Sequence, residues 1–243
     1  MSTILLKFAG PLQSWGTKSH FETRHTDYYP SKSAVIGLIA ASLGLKRDAD
    51  AQIQRLNELK FAVRVDQQGS LLRDYHTAQK SNKDGSFERT YVTERYYLED
   101  YIFVVGIEHE DAHWMAKIEN ALKNPYFQPF MGRRSNPLTM DFFMLYSQDS
   151  LLSLMETHPW QASDWYKKKK FKSLTENQVE LELYTDREVV SEGIAAALRK
   201  DTVVSFSQKE RKFGFRYEVR KRIKISTGEQ KIKDTEHDVI NAI

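Results

Sequence analysis

The order in which strand-like and helix-like apolar patterns follow one another constrains the fold of this chain most. Apolar residues at alternate positions indicate strands, and apolar residues three or four positions apart indicate helices. The patterns predict a strand at residues 4–8, a helix at 32–43, strands at 61–65 and 101–107, a helix at 111–123 and a strand at 142–146. This succession is typical of the ferredoxin-like fold, which RNA-recognition modules share. We therefore predict an α+β protein with a ferredoxin-like (RRM-like) domain at residues 1–146.

The connection between the second and third predicted strands is long and polar. Residues 67–100 show no clear periodicity and contain a turn-like sequence around Asn82 and Gly85. Connections longer than about 12 to 15 residues are uncommon in compact domains unless they are functional or disordered. We therefore predict that a protruding arm (thumb) or hairpin lies at about residues 67–100.

The remaining residues, 147–243, have weaker patterns. Residues 179–183 alternate as a strand, residues 188–199 have a helical composition, and residues 213–225 fit one strand or a hairpin. These patterns predict a smaller, mainly β C-terminal lobe.

Composition narrows the class of protein. The chain is 40% hydrophobic and has a net charge of +3, which is typical of a folded, mildly basic protein. It has no cysteine, which excludes disulfides and thiolate metal sites. No stretch approaches the about 20 apolar residues of a membrane helix, and the first residues show neither a basic leader nor a cleavage site. We therefore expect a cytoplasmic protein with no membrane partner.

Motifs of known catalytic chemistry are either absent or out of place. The P-loop, the dinucleotide-binding glycine motif and the serine nucleophile elbow do not occur. The sequence His109-Glu110-Asp111-Ala112-His113 matches a zinc-protease pattern, but an N-cap at Asp111 would place His109 outside the helix. His20 and His25 lack identifiable partner ligands. We predict no catalytic residue, no metal site and no cofactor.

One enzymatic alternative stays open at this point. A metal-independent ribonuclease needs only a general acid or base and nearby cations. The predicted arm contains Tyr75, His76, Lys80 and Lys83, which are of suitable types. RNA contact or packing would explain the same residues without catalysis.

Three segments combine cations with groups that suit single-stranded RNA, which is bound through its phosphates and its unstacked bases. The arm interleaves arginines with tyrosines. Gly132 lets the backbone approach a phosphate closely, and Arg133, Arg134 and a serine follow it. Residues 30–33 lie at a helix start, where free N–H groups favour an anion. An ordinary surface turn and simple helix capping are the alternatives for the last two segments.

Several motifs along the chain resemble those of a known family and occur in its order. They are Leu5-Leu6-Lys7-Phe8-Ala9-Gly10-Pro11-Leu12-Gln13-Ser14-Trp15-Gly16, Arg24-His25-Thr26, Pro30-Ser31-Lys32-Ser33-Ala34-Val35-Ile36-Gly37-Leu38, Arg64-Val65-Asp66, Asp74-Tyr75-His76-Thr77, Thr93-Glu94-Arg95-Tyr96-Tyr97-Leu98, Gly132-Arg133-Arg134-Ser135, Ser205-Phe206, Arg216-Tyr217 and His237-Asp238. The chain resembles the fifth family of CRISPR-associated proteins, in the branch of CasD subunits of type I-E Cascade complexes. That family belongs to the repeat-associated RNA-binding (RAMP) superfamily.

The resemblance implies a noncatalytic subunit of an antiviral surveillance complex. Such a subunit binds the 5′ handle of the CRISPR RNA, caps the backbone filament, contacts the large subunit, and meets target DNA only through the assembled complex. Relatives in subtype I-C cut precursor RNA, whereas a separate endoribonuclease does so in I-E systems. The implied contacts with RNA or other subunits are Trp15, Arg24, Lys32, Ser33, His76, Thr77, Arg95, Tyr96, Gly132, Arg133 and Arg134.

Overall fold

The computed structural model describes residues 1–17, 22–171, 177–190 and 193–227, which form an α+β protein. Every strand and helix predicted within residues 1–146 is present, so the α+β class is confirmed. The strands are β1 (Ser2–Ala9), β2 (Leu12–Gln13), β3 (Thr23–Arg24), β4 (Lys60–Gln67), β5 (Ser70–Ser81), β6 (Phe87–Glu99), β7 (Ile102–His109), β8 (Phe143–Ser147), β9 (Gln178–Asp186), β10 (Ala196–Ser205) and β11 (Lys212–Ser226). The helices are α1 (Lys32–Ser42), α2 (Asp50–Arg55), α3 (Ala112–Lys123), α4 (Leu151–Thr157) and α5 (Asp164–Phe171).

The larger of two sheets has seven strands, which come from the N-terminal, central and C-terminal parts of the described chain. Its strand order is β10-β11-β9-β4-β7-β1-β8, and all neighbouring strands are antiparallel. The three C-terminal strands join it beside β4. None of the described helices is long and apolar enough to cross a membrane.

Both faces of the sheet are buried at β4, although alternation of apolar and polar residues is typical of a strand with one buried face. Along β4, Phe61 and Val63 pack in a core that includes side chains of α1 and α3. Ala62 lies in a second core with side chains of α4. Successive residues of a strand point to opposite faces. The helix α4, which the sequence patterns did not reveal, therefore covers the second face of β4.

Residues 67–100 form mainly a long hairpin. Strands β5 and β6 pair from Ser70 opposite Glu99 to Ser81 opposite Phe87, and a turn with Gly85 at φ 86° joins them. Near its base, β6 also pairs with β2 and with β3. Most side chains near the turn are exposed on both faces. Because neither face is buried there, the sequence carries no strand-like alternation of apolar and polar residues.

The prediction of a helix at residues 188–199 is wrong. A short 3₁₀ turn occupies Arg187–Val189, and Gly193 has φ 100°, which a right-handed helix does not allow. Strand β10 begins at Ala196 and pairs with β11 along its length. Alanine favours a helix, but here the pairing of β10 with β11 outweighs this local preference. Residues 213–225 form a single strand, which is one of the two arrangements expected.

Buried charges join the C-terminal strands to α1. Asp201 is fully buried and accepts hydrogen bonds from Arg216 Nε at 2.7 Å and from the backbone N–H of Lys32 at 2.9 Å. Lys32 Nζ and Arg216 Nη1 each lie 2.9 Å from the carboxylate of Asp186. Burial disfavours the guanidinium of Arg216, but Asp201, Asp186 and Glu218 outweigh it and raise its pKa. This cluster fixes β10 and β11 against the start of α1.

A second buried ion pair holds the segment after α4. Arg64 and Asp66 are both fully inaccessible, and Arg64 Nε lies 2.6 Å from Asp66 Oδ1. The guanidinium also donates to the carbonyl oxygens of Met155, His158 and Pro159 at 2.8, 2.8 and 3.0 Å. Arg64 Nη2 also donates to Asp66 Oδ2 at 2.9 Å, so all five guanidinium N–H donors have oxygen acceptors, which offsets the cost of desolvating the charge.

We expect Asp66→Asn to destabilise the fold strongly. The substitution leaves Arg64 as an uncompensated buried charge, which costs about 3–5 kcal/mol. The free energy of unfolding, from urea denaturation, measures the effect. Asp141→Asn is the matched control, because Asp141 is 60% exposed where it pairs with Lys7, and we expect it to cost less than about 1 kcal/mol. Equal losses in the two variants would contradict the assignment of Arg64 and Asp66 as a stabilising buried pair.

Candidate nucleic-acid interface

A groove of about 980 Å³ opens beside α1. Its other walls come from residues 14–16 and 24–25, from residues 127–137, and from the β10–β11 connection. The described lining includes six Lys or Arg residues and no Asp or Glu. The cations are Arg24, Lys46, Arg47, Arg133, Arg134 and Arg211. Because low-dielectric walls focus the field of one sign of charge, such a groove attracts polyanions.

Aromatic side chains also line this basic groove. Phe127 is half exposed, and Phe130, Phe206 and Phe213 are partly exposed. The rings of Phe206 and Phe213 meet edge to face, with centroids 6.2 Å apart. Cations beside accessible rings are the combination that binds single-stranded nucleic acids, because phosphates and unstacked bases are engaged together.

Gly132 allows the loop at residues 127–137 to close against the segment after β2. Its φ is 80°, and a Cβ at this position would lie 1.6 Å from the carbonyl oxygen of Ser14. Ser14 N–H donates to the Met131 carbonyl at 3.3 Å, and buried Asn136 donates its side-chain amide to the same oxygen at 3.3 Å. The glycine is therefore required by packing within the chain itself.

The two arginines after Gly132 have different environments. Arg133 Nη2 donates to the carbonyl oxygens of Arg24 at 3.2 Å and Tyr96 at 3.3 Å, and its guanidinium lies 4.2 Å from the ring centroid of Tyr97. Its buried Nη1 has no hydrogen-bond partner among the described residues. Arg134 is exposed. Arg133 thus ties the groove wall to β3 and β6, while Arg134 extends toward solvent.

The groove borders the base of the hairpin through β3, which pairs with β6 and whose Arg24 lines the groove. Strand β3 pairs in parallel with β6, so that the backbone of Arg24 lies beside that of Arg95. The ring of His25 stacks on that of Tyr96, with centroids 5.2 Å apart. Arg73 donates a hydrogen bond to the nearby carboxylate of Glu94, which holds the pKa of Glu94 below its usual range. Glu94 therefore stays ionised and is matched by a neighbouring cation.

His76 and Thr77 lie on the hairpin outside the lining of the groove. Both are exposed in β5, opposite Thr93 and Val92 of β6. His76 Nδ1 is 3.4 Å from the hydroxyl of Thr93. These two candidates therefore lie apart from the candidates that line the groove.

Three candidate residues are built into the interior. Trp15 is 1% exposed, stacks on Phe8 and donates from Nε1 to Gln13 at 3.0 Å. Ser33 is buried, with its hydroxyl 3.3 Å from that of Ser31. Lys32 Nζ is committed to Asp186 and, at 2.9 Å, to a backbone carbonyl. The anion expected at the start of α1 is Asp201 of the same chain.

Sequence patterns missed three of the groove cations. Lys46 and Arg47 follow the end of α1, and Arg211 lies in the connection before β11. The only signal for Arg211 was the excess of basic residues in its neighbourhood, and Lys46 and Arg47 gave none beyond their type. The tertiary fold brings them to α1.

The structure places the first histidine of the zinc-protease pattern outside the helix, as predicted. His109 ends β7, and Asp111 is the N-cap of α3, accepting a hydrogen bond from Trp114 N–H at 2.9 Å. That bond lowers the pKa of Asp111. Across the described ranges, no three His, Asp or Glu side chains are grouped to hold a metal ion. His20 and His237-Asp238 lie outside the described residues.

Comparison with known proteins identifies the family. The family model described as CRISPR-associated protein (Cas_Cas5) matches residues 3–218. The CRISPR system Cascade subunit CasD of Escherichia coli strain K12 is 36% identical over 157 residues, which cover 59% of this chain and 70% of that protein.

Solved structures agree with this result. A chain of a CRISPR RNA-guided surveillance complex is 28% identical, with a TM-score of 0.72, and the match covers 92% of this chain and 91% of that one. A Cas protein crystal structure is 30% identical, with a TM-score of 0.61, covering 91% and 94%. Because the family model matches far more than half of the sequence, the chain belongs to the Cas5 family of CRISPR-associated proteins.

Proposed function

We propose that this chain is a Cascade subunit that binds CRISPR RNA by its 5′ handle in the basic groove. The observation that carries the proposal is the lining of that groove, which has six cations and no acid among its described residues. A similar CasD belongs to the Cascade complex of Escherichia coli, and a similar chain belongs to an RNA-guided complex. RNA is the polyanion that fits both the charge and the family.

The body of the protein suits this role. The order β4-β7-β1-β8, with α1 and α3 against one face, matches the ferredoxin-like arrangement, and we propose that residues 1–146 form that domain. Residues 147–243 then form the lobe whose strands extend the sheet. RNA-binding modules of this class splay single-stranded bases against the protein.

The hairpin of β5 and β6 supports contact with a neighbouring subunit. An isolated two-stranded hairpin is marginally stable in water, and the outer part of this one exposes Tyr75 and Phe87 at 62% each. We propose that it is the thumb, which packs on the Cascade backbone subunit with His76 and Thr77 near the RNA. The other proposed partners are the large subunit and, through the assembled complex, target DNA. The proposed location of the complex is the cytoplasm.

The candidate residues have three proposed roles. Arg24 and Arg134, with Lys46, Arg47 and Arg211, contact phosphates, because they are the exposed cations of the groove. The candidates that are buried, or bonded within the chain, position the groove walls. These are Trp15, Lys32, Ser33, Gly132 and Arg133. Arg95 and Tyr96 link the groove to the hairpin.

We expect Arg134→Ala with Arg211→Ala to weaken RNA binding and reduce its salt dependence. Each lost phosphate contact lowers the slope of log affinity against log salt concentration by about 0.7 for a single strand. Fluorescence anisotropy with single-stranded repeat RNA at several salt concentrations gives both quantities. Arg222→Ala is the control, because Arg222 is 66% exposed on β11 beside Glu180 and outside the groove lining. An unchanged slope in the double variant would exclude the groove as the RNA site.

We expect the protein to bind precursor repeat RNA without cutting it. Labelled RNA incubated with the protein in EDTA should be recovered intact, since we propose no catalytic residue. Gel electrophoresis of the same samples used for binding measures cleavage. Site-specific cutting that disappears in His76→Ala would instead support the alternative of a metal-independent processing endoribonuclease.

A further inference from the structure

Strand β11 carries accessible aromatic rings as it leaves the groove. Phe213 lines the groove, and Phe215 and Tyr217 follow at alternate positions of the same strand. Phe215 is 59% exposed and Tyr217 is 62% exposed. Alternate residues of a strand lie on one face, about 7 Å apart, so the two rings are presented side by side to solvent.

The neighbours of these rings add positive charge. Lys200 Nζ lies 5.7 Å from the ring centroid of Phe215. Leu198, which is 59% exposed, lies directly opposite Tyr217 in β10. Arg211 and Phe213 both line the groove, and Phe215 follows Phe213 two residues later on β11. Exposed rings beside cations resemble the stacking surfaces on which proteins hold single-stranded nucleic acids.

A strand of another protein, added at the edge of the sheet, would be a less suitable occupant of this surface. β10 is the terminal strand of the sheet, but Asn57 already pairs with both the N–H and the carbonyl of Val203, at 3.0 and 2.8 Å. Gln54 donates to the carbonyl of Val204 at 2.7 Å. These side chains cap the second half of the strand edge, so only its first few residues can accept a partner strand.

We propose that Phe215 and Tyr217 form a stacking platform for bases of single-stranded RNA that leaves the groove, with Lys200 at the adjoining phosphate. The platform rests on the proposed function of the groove and extends it to further nucleotides. Stacking on the ring faces tolerates any base, because every base has a π face. The platform therefore adds affinity for longer RNA without adding sequence preference.

The test compares two RNAs, of about four and about ten nucleotides, so that only the longer one can reach beyond the groove. We expect Phe215→Ala with Tyr217→Ala to weaken binding of the longer RNA at least about tenfold and to leave the shorter one unchanged. Arg134→Ala with Arg211→Ala should weaken both. Ultraviolet crosslinking of the longer RNA followed by peptide mapping should place a crosslink at Tyr217.

The outcomes separate the platform from the groove. If the longer RNA binds the double alanine variant as tightly as the wild type, the platform is wrong and the groove is unaffected. If neither RNA binds the wild-type protein, both proposals are wrong. DNA of the same sequence that gains more than RNA from the two rings would also overturn the assignment to RNA.

Two further variants exclude a purely structural effect. Phe215→Tyr with Tyr217→Phe keeps both rings and should retain the affinity for the longer RNA. Trp165→Ala removes a ring that is 54% exposed on α5 and should change nothing. Loss of binding in the ring-conserving variant, or an equal loss in Trp165→Ala, would contradict stacking.

Discussion

The buried carboxylate of Asp201 is the contact on which the groove depends. It accepts hydrogen bonds from Arg216 in β11 and from the first backbone N–H of α1. The start of α1 forms one wall of the groove, and the β10–β11 connection forms another. A single desolvated carboxylate thus sets the distance between two walls that are about 170 residues apart in sequence. Breaking a buried ion pair costs several kcal/mol, so separating these walls is energetically unfavourable.

The distribution of charge follows from the same arrangement. The net charge of the chain is only +3, which by itself suggests little about a polyanionic partner. Acidic side chains are used inside, where Asp66, Asp186 and Asp201 each pair with a buried cation. All the Lys, Arg, Asp or Glu residues in the described lining of the groove are cations. A nearly neutral chain can therefore present a strongly basic surface in one place.

The motifs that carry the family resemblance mostly build the walls. Gly132 is needed because a side chain there would overlap Ser14, and Arg133 bonds to two backbone carbonyls. Lys32 is part of the interior. A motif rich in glycine, lysine and arginine resembles a phosphate site in sequence, yet here much of it stabilises the position of other cations. Arg24 and Arg134 remain the motif residues that are exposed in the groove.

Local patterns in the sequence determined the four strands and two helices that we predicted within the first 146 residues, the N-cap at Asp111 and the absence of cysteine chemistry, because each depends on neighbouring residues only. The resemblance of its motifs also indicated the family. The tertiary structure alone decided that both faces of β4 are buried, that residues 196–205 form a strand, and that Arg211 and Lys46 face one groove. Each of these depends on a partner distant in sequence. Such pairings outweigh local propensities, which differ by less than about 1 kcal/mol per residue.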